Sequence, residues 1–137
     1  MFKKIMLPID LEHVEQLEKA VQVGIDLARL YESTVCLVGV TTEAPSAVAH
    51  NPDEFAQKLQ RFASELSEHQ GLPIESVAYA AHDPSVDLDK TLMGAAAEVG
   101  ADLVVMASHV PGFPEHFFAS HGGHMASHAP MSVMVVR

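Results

Sequence analysis

Five short apolar runs, separated by stretches of helical period, constrain this chain more than any other feature. They are Phe2–Ile9, Thr34–Val40, Ile74–Ala81, Leu103–Met106 and Val133–Val136. Strands that are apolar almost throughout are those buried on both faces of a sheet. That burial marks parallel sheets, whose strands need a crossover, ordinarily a helix, between them. Strand and helix alternate along the whole length, so the chain reads as an α/β fold. The expectation is one domain over residues 1–137, with five strands in a mostly parallel sheet and four helices covering both faces. No internal repeat, linker or low-complexity segment interrupts it.

The intervening stretches have the pattern of helices packed on a sheet. Over residues 12–31, Val14, Leu17, Val21, Gly24 or Ile25, and Ala28 fall on one face. Glu12, Glu15 and Glu18 near its start suit the positive end of a helix dipole. Thr41–His50 holds Pro45 and has no period, so it reads as a loop over the sheet edge. Asn51-Pro52-Asp53-Glu54 is a helix start, with an N-cap, Pro at the first helical position and then two acids. Phe55, Leu59, Phe62 and Leu66 form the inward stripe of that helix, with the aromatic pair read as core, and Gly71 and Pro73 stop it. His82-Asp83-Pro84-Ser85 turns the chain into a third helix. Leu88, Leu92, Ala95 or Ala96, and Val99 point inward there, and Gly100 follows its end.

Acidic residues outnumber basic ones 18 to 8, for a formal charge of −10, which counts against nucleic acid and anionic membrane surfaces. No apolar run approaches the ~20 residues of a membrane span. Lys3-Lys4 is followed by only five apolar or Pro residues before Asp10, unlike a signal peptide. The expectation is a cytoplasmic protein. The single cysteine, Cys36, cannot form an internal disulfide and reads as a buried small hydrophobe.

Two places draw attention as a site. Asp10 ends the first strand, where ligands collect in parallel sheets; its other open role is to cap the helix that follows. The last third of the chain, from Ala101 to Arg137, runs strand, loop of small residues with Pro and His, helix, strand. That is the layout of a phosphate- or ligand-binding crossover, and its loop would lie beside Asp10. Five of the nine histidines lie between His109 and His128. His121, His124 and His128 are spaced to share one helix face, where imidazoles can bind Zn²⁺, Ni²⁺ or Cu²⁺, or serve as ordinary polar residues. There is no P-loop, GxSxG or HExxH. Ser108 and His109 are adjacent, so their side chains diverge on an extended segment, and no enzyme activity is expected.

Ile5-Met6-Leu7-Pro8-Ile9-Asp10, Val38-Gly39-Val40, and the block running from Ala107-Ser108-His109 through Ala119-Ser120 and His128-Ala129 to Ser132-Val133-Met134-Val135-Val136-Arg137 together resemble the universal stress protein family. They look most like its small single-domain bacterial members, and the resemblance spans essentially the whole chain. It implies a Rossmann-like sheet of order 3-2-1-4-5 and a homodimer in which the terminal strands, here Val133–Val136, pair antiparallel. It implies a nucleotide site at Pro8, Ile9, Asp10, Val40, Met106, Ala107, Ser108, His109, Val110, Ala119, Ser120 and His121. Within it, Asp10 would meet ribose and metal, Val40 the adenine edge through its backbone, and Met106 the face of the base.

Family members that bind ATP have Gly-x-x-Gly after the fourth strand and Gly-Ser or Gly-Thr before the next helix, so that the backbone can approach phosphates. Here the three glycine positions hold Ala107, Val110 and Ala119. No Lys or Arg stands between Lys90 and Arg137, and by the resemblance His82-Asp83-Pro84, where relatives often have Gly-x-Pro, adds the anionic Asp83 near the same rim. The favoured expectation is a homodimeric stress-response protein of the regulatory binding kind with a degenerate nucleotide site and an unidentified protein partner. The alternative is a sensor that binds ATP or AMP, with Mg²⁺, and regulates that partner. A histidine metal site and slow ATP hydrolysis are the remaining readings.

Overall fold

The apolar runs form a single sheet because their aliphatic and β-branched side chains bury on both faces once helices cover them. The computed structural model describes residues 1–108 and 121–137. In it, β1 (Lys4–Ile9), β2 (Thr34–Thr41), β3 (Ile74–Ala80), β4 (Leu103–Ala107) and β5 (Ser132–Val136) are parallel throughout, in the order β3-β2-β1-β4-β5. The connecting helices are α1 (Val14–Tyr31), α2 (Pro52–Gln70), α3 (Pro84–Val99) and α4 (His121–His128). The expected alternation and strand order are both present. β2 and β4 run one residue beyond their apolar runs, to Thr41 and Ala107, and the extension of β2 matters for the site below. α1 begins at Val14 because the residues after Asp10 form a turn, in which His13 N–H donates to Asp10 O at 3.0 Å.

Right-handed crossovers place α1 and α2 on one face of the sheet and α3 and α4 on the other. α1 packs on β1 and β4, α2 on β2 and β3, α3 on β2 and α4, and α4 on β5. Ile5, Leu7, Ile25, Leu37, Leu59, Leu88, Leu92 and Met125 are fully buried among them. Two glycines let the helices sit low on the sheet. A Cβ on Gly24 of α1 would stand 2.5 Å from Leu7 Cδ2, and one on Gly39 of β2 would stand 2.8 Å from Phe55 Cε1.

Helix ends follow the residues that mark them. Asn51 Oδ1 accepts the Glu54 N–H at 2.8 Å, and Glu54 Oε2 reaches back to the His50 N–H at 3.1 Å, a reciprocal exchange that starts α2. The His50 N–H holds the Glu54 carboxyl below the usual carboxylate range, with Lys58 adding to it. Gly71, with φ 68°, closes α2. α1 instead ends on Glu32 at φ 55°, a left-handed conformation that costs a residue with a Cβ about 1 kcal/mol. Cys36 is buried in β2, and burial pushes its thiol up to about 11.

Candidate functional site

The site arises where β2 outruns β1. Backbone groups of successive strand residues point to alternate sides. On β2, the Thr34 N–H donates to Lys3 O on the β1 side at 3.0 Å, and Thr41 O accepts the Ala81 N–H on the β3 side at 2.8 Å. Val40 therefore points its backbone toward β1. The last register pair of β1 and β2 is Ile9↔Gly39, so Val40 reaches past the end of β1 and turns its carbonyl toward the space β1 leaves. The other side of β1 opens too. Lys4 O accepts the Asp102 N–H on the β4 side at 3.0 Å, and Pro8, which shares that side, has no N–H to give. Pairing between β1 and β4 covers only Ile5↔Leu103 and Met6↔Val104. The strands part at the switch in strand order, where ligands enter such sheets.

A cleft of about 310 Å³ lies at the carboxyl ends of β1 and β2. Leu11, Val40, Val48 and Phe55 form its apolar wall, and Asp10, Glu12, Thr41, Thr42, Ser46 and Asp83 its polar one. The segment after β2 folds down as a wall of the cleft. The Ser46 N–H donates to Ala49 O at 2.8 Å, and Ser46 Oγ accepts the Ala49 N–H at 3.2 Å. The Lys58 ammonium on α2 donates to the Val48 carbonyl and ties the wall to the helix. Phe55 is buried, as its stripe predicts, and its ring also closes one side of the cleft.

Asp10 fills both of the roles open to it. Its carboxylate, 10% exposed, accepts the Glu12 N–H on Oδ1 at 3.0 Å, and its Oδ2 lies 2.8 Å from His13 Nδ1. It thereby organises the turn into α1 while lining the cleft. Ligand atoms of Asp10, Glu12 and His13 all lie within 4.8 Å of one another. Among the described residues, Asp10, Glu12 and Asp83 line the cleft and no Lys or Arg does, which disfavours multiply charged anions there.

Of the residues expected at the site, the cleft brings together Asp10 and Val40. Pro8, Ile9, Met106 and Ala107 are buried in the sheet, and none of them lines the cleft. The Ser108 N–H donates to Val136 O at 2.7 Å, fastening the end of β4 to β5. His109, Val110, Ala119 and Ser120 lie outside the described residues, and His121 opens α4. Further along α4, His124 Nδ1 is 3.0 Å from Asp89 Oδ2 on α3, and His128 Nδ1 bonds His124 O at 2.9 Å. The two rings stack at 4.3 Å. Sequence reasoning missed Thr41, Thr42, Ser46 and Val48; the available signal was a Thr pair at the carboxyl end of an apolar strand. Among the described residues, no helix is long and apolar enough to cross a membrane.

A parallel sheet of this order, with helices on both faces and an acid at the end of β1, defines a Rossmann-like α/β fold. The chain belongs to the universal stress protein family, whose profile matches residues 1–137. Universal stress protein G of Shigella flexneri and that of Escherichia coli O157:H7 are each 29% identical to it, and the match covers 100% of both chains. Solved structures share the fold at lower identity. A protein of the family from Burkholderia pseudomallei superposes with a TM-score of 0.72 at 18% identity, over 98% of this chain and 95% of that one. The Archaeoglobus fulgidus universal stress protein in complex with dAMP gives 0.68 at 17%, over 98% of each chain. A universal stress protein in complex with cAMP gives 0.67 at 17%, over 99% and 97%.

Proposed function

We propose that this protein is a regulatory binding protein whose cleft takes an adenine nucleotide by its base and ribose, and prefers a nucleoside monophosphate to free ATP. The observation that carries this reading is the composition of the cleft. An outward Val40 carbonyl and the Asp10 carboxylate stand beside an apolar wall, and among the described lining residues there are three carboxylates and no basic residue. The exocyclic amine of adenine donates to a carbonyl such as that of Val40, and ribose hydroxyls donate to a carboxylate such as that of Asp10. Each added phosphate brings charge toward Asp10, Glu12 and Asp83, and Mg²⁺ offsets part of that repulsion. Ala107, Val110 and Ala119, standing where binding relatives have glycine, weaken the phosphate end in the same direction. The relatives solved with cAMP and dAMP support the ligand class.

Isothermal titration with AMP, cAMP, ADP and ATP, with and without Mg²⁺, tests the reading. AMP is expected to bind at least about tenfold more tightly than Mg²⁺-free ATP, and Mg²⁺ to narrow the gap. Equal or tighter binding of Mg²⁺-free ATP overturns the preference, and no binding of any adenine nucleotide overturns the ligand class. The reading assigns no turnover, so phosphate release from ATP above a buffer blank would replace it with the slow ATPase.

The same reading makes the protein a homodimer through β5, acting on a protein partner. β5 pairs with β4 along one edge, and Met134 and Val135 are 39% and 37% exposed in this apolar strand. Val133, Met134, Val135 and Val136 would pair with a second copy, which removes an open apolar edge from water. A lysine at the centre of that edge places like charges across the two-fold axis. Met134→Lys is expected to convert a dimer into a monomer in sedimentation at micromolar concentration. A wild-type monomer under those conditions removes the dimer from the reading.

A further inference from the structure

We infer that Asp10, Glu12 and His13 form a divalent transition-metal site that fills without nucleotide. The three side chains lie on the turn between β1 and α1, with one ligand atom from each within 4.8 Å of the others. Two carboxylates and an imidazole are the donor set of borderline ions such as Zn²⁺ and Mn²⁺, and an Irving–Williams comparison favours Zn²⁺.

Three further features favour an ion over a simple helix start. First, Asp10 is 10% exposed, so its charge is held in a setting where water screens it weakly. Second, Asp10 and Glu12 face the same cleft as Asp83, and no Lys or Arg lines it among the described residues, so a cation there offsets several carboxylates at once. Third, two of the ligand atoms are already neighbours, so only a small movement admits an ion between them. His13 Nδ1 and Asp10 Oδ2 are 2.8 Å apart, and a widening to about 3.4 Å lets both bond one tetrahedral ion at about 2.0–2.2 Å. Binding replaces the hydrogen bond between them. The imidazole proton moves from Nδ1 to Nε2, and the freed Nδ1 lone pair and the Asp10 oxygen both coordinate the ion. A carboxylate of Glu12, exposed at the cleft rim, swings in as the third ligand, and water completes the shell.

The site shares Asp10 with the proposed nucleotide cleft, and it is tested without nucleotide so that its failure is separate from a failure of the nucleotide reading. Tag-free protein is stripped with chelator and titrated with Zn²⁺ alone by calorimetry, and Co²⁺ absorption reports the coordination geometry. One equivalent of Zn²⁺ per chain is expected. His13→Ala and Glu12→Gln should each weaken it at least about tenfold, and circular dichroism checks that both variants are folded. His124→Ala and His128→Ala should leave it unchanged. Glu12→Gln changes an exposed side chain, so it remains informative if His13→Ala fails to fold. Absence of stoichiometric Zn²⁺ binding by the wild type overturns the site, as does binding that survives Glu12→Gln or moves with His124.

Discussion

Replacing Gly39 with valine is expected to lower the unfolding free energy by about 2–3 kcal/mol, the cost of overpacking a well-filled core. The first added carbon would stand 2.8 Å from Phe55 Cε1, 2.9 Å from Phe55 Cζ and 3.0 Å from Leu59 Cδ2. Both partners are buried on α2, with Phe55 at 4% and Leu59 at 0% exposure, so neither has solvent to move into. Valine is the better strand residue and loses less backbone entropy than glycine, which offsets roughly 1 kcal/mol of the clash. Urea unfolding read by circular dichroism measures the difference. Adding Phe55→Leu to Gly39→Val should recover part of the loss, because it removes two of the three close atoms. Phe55 also walls the cleft, so Gly39→Val is expected to weaken AMP binding beyond what unfolding explains. A stability change below about 0.5 kcal/mol, the scatter of ordinary surface changes, would show that α2 moves off the sheet without cost.

Asp10→Ala is expected to weaken AMP binding about tenfold to a hundredfold, or ~1.5–3 kcal/mol for loss of a charge-assisted hydrogen bond to ribose. Two consequences separate this from a loss of folding. The variant also loses the bond from the Glu12 N–H, so stability should fall by about 1 kcal/mol, as for other helix-start acceptors. Removing a carboxylate lowers the repulsion on phosphates, so the affinity for Mg²⁺-free ATP should fall less than that for AMP. Asp10→Asn keeps an acceptor oxygen for the Glu12 N–H and should retain most of the stability while losing part of the affinity. AMP affinity within twofold of the wild type in a folded Asp10→Ala would falsify the ribose role.

The fold was readable because it depends on patterns local to each segment. Leu17, Val21 and Ala28 could only be one face of a helix. Val35–Val38 reads as an inner strand, and Asn51-Pro52 as the start of a helix, and the structure has both. The resemblance in the terminal block then supplied the strand order that local pattern cannot. The site was legible in part. Asp10 stands at a strand end that the sequence marks with Pro8, and Val40 follows a glycine whose place in the family pattern is clear. Thr41, Thr42, Ser46 and Val48 look like any polar or small loop residues, and Phe55 looks like any core aromatic.

By itself the sequence determined the α/β class, the helix ends, the apolar terminal strand and the excess of acid, because each follows from neighbouring residues or from totals. Only the tertiary structure decided that there is a cleft beside β2 and which carboxylates meet in it. The cleft exists because β2 continues past the point where β1 turns, a register between strands that neither strand contains. Its charge comes from Asp10 and Glu12 after β1 meeting Asp83 after β3, carboxylates brought together by parallel strands that end on the same side of the sheet.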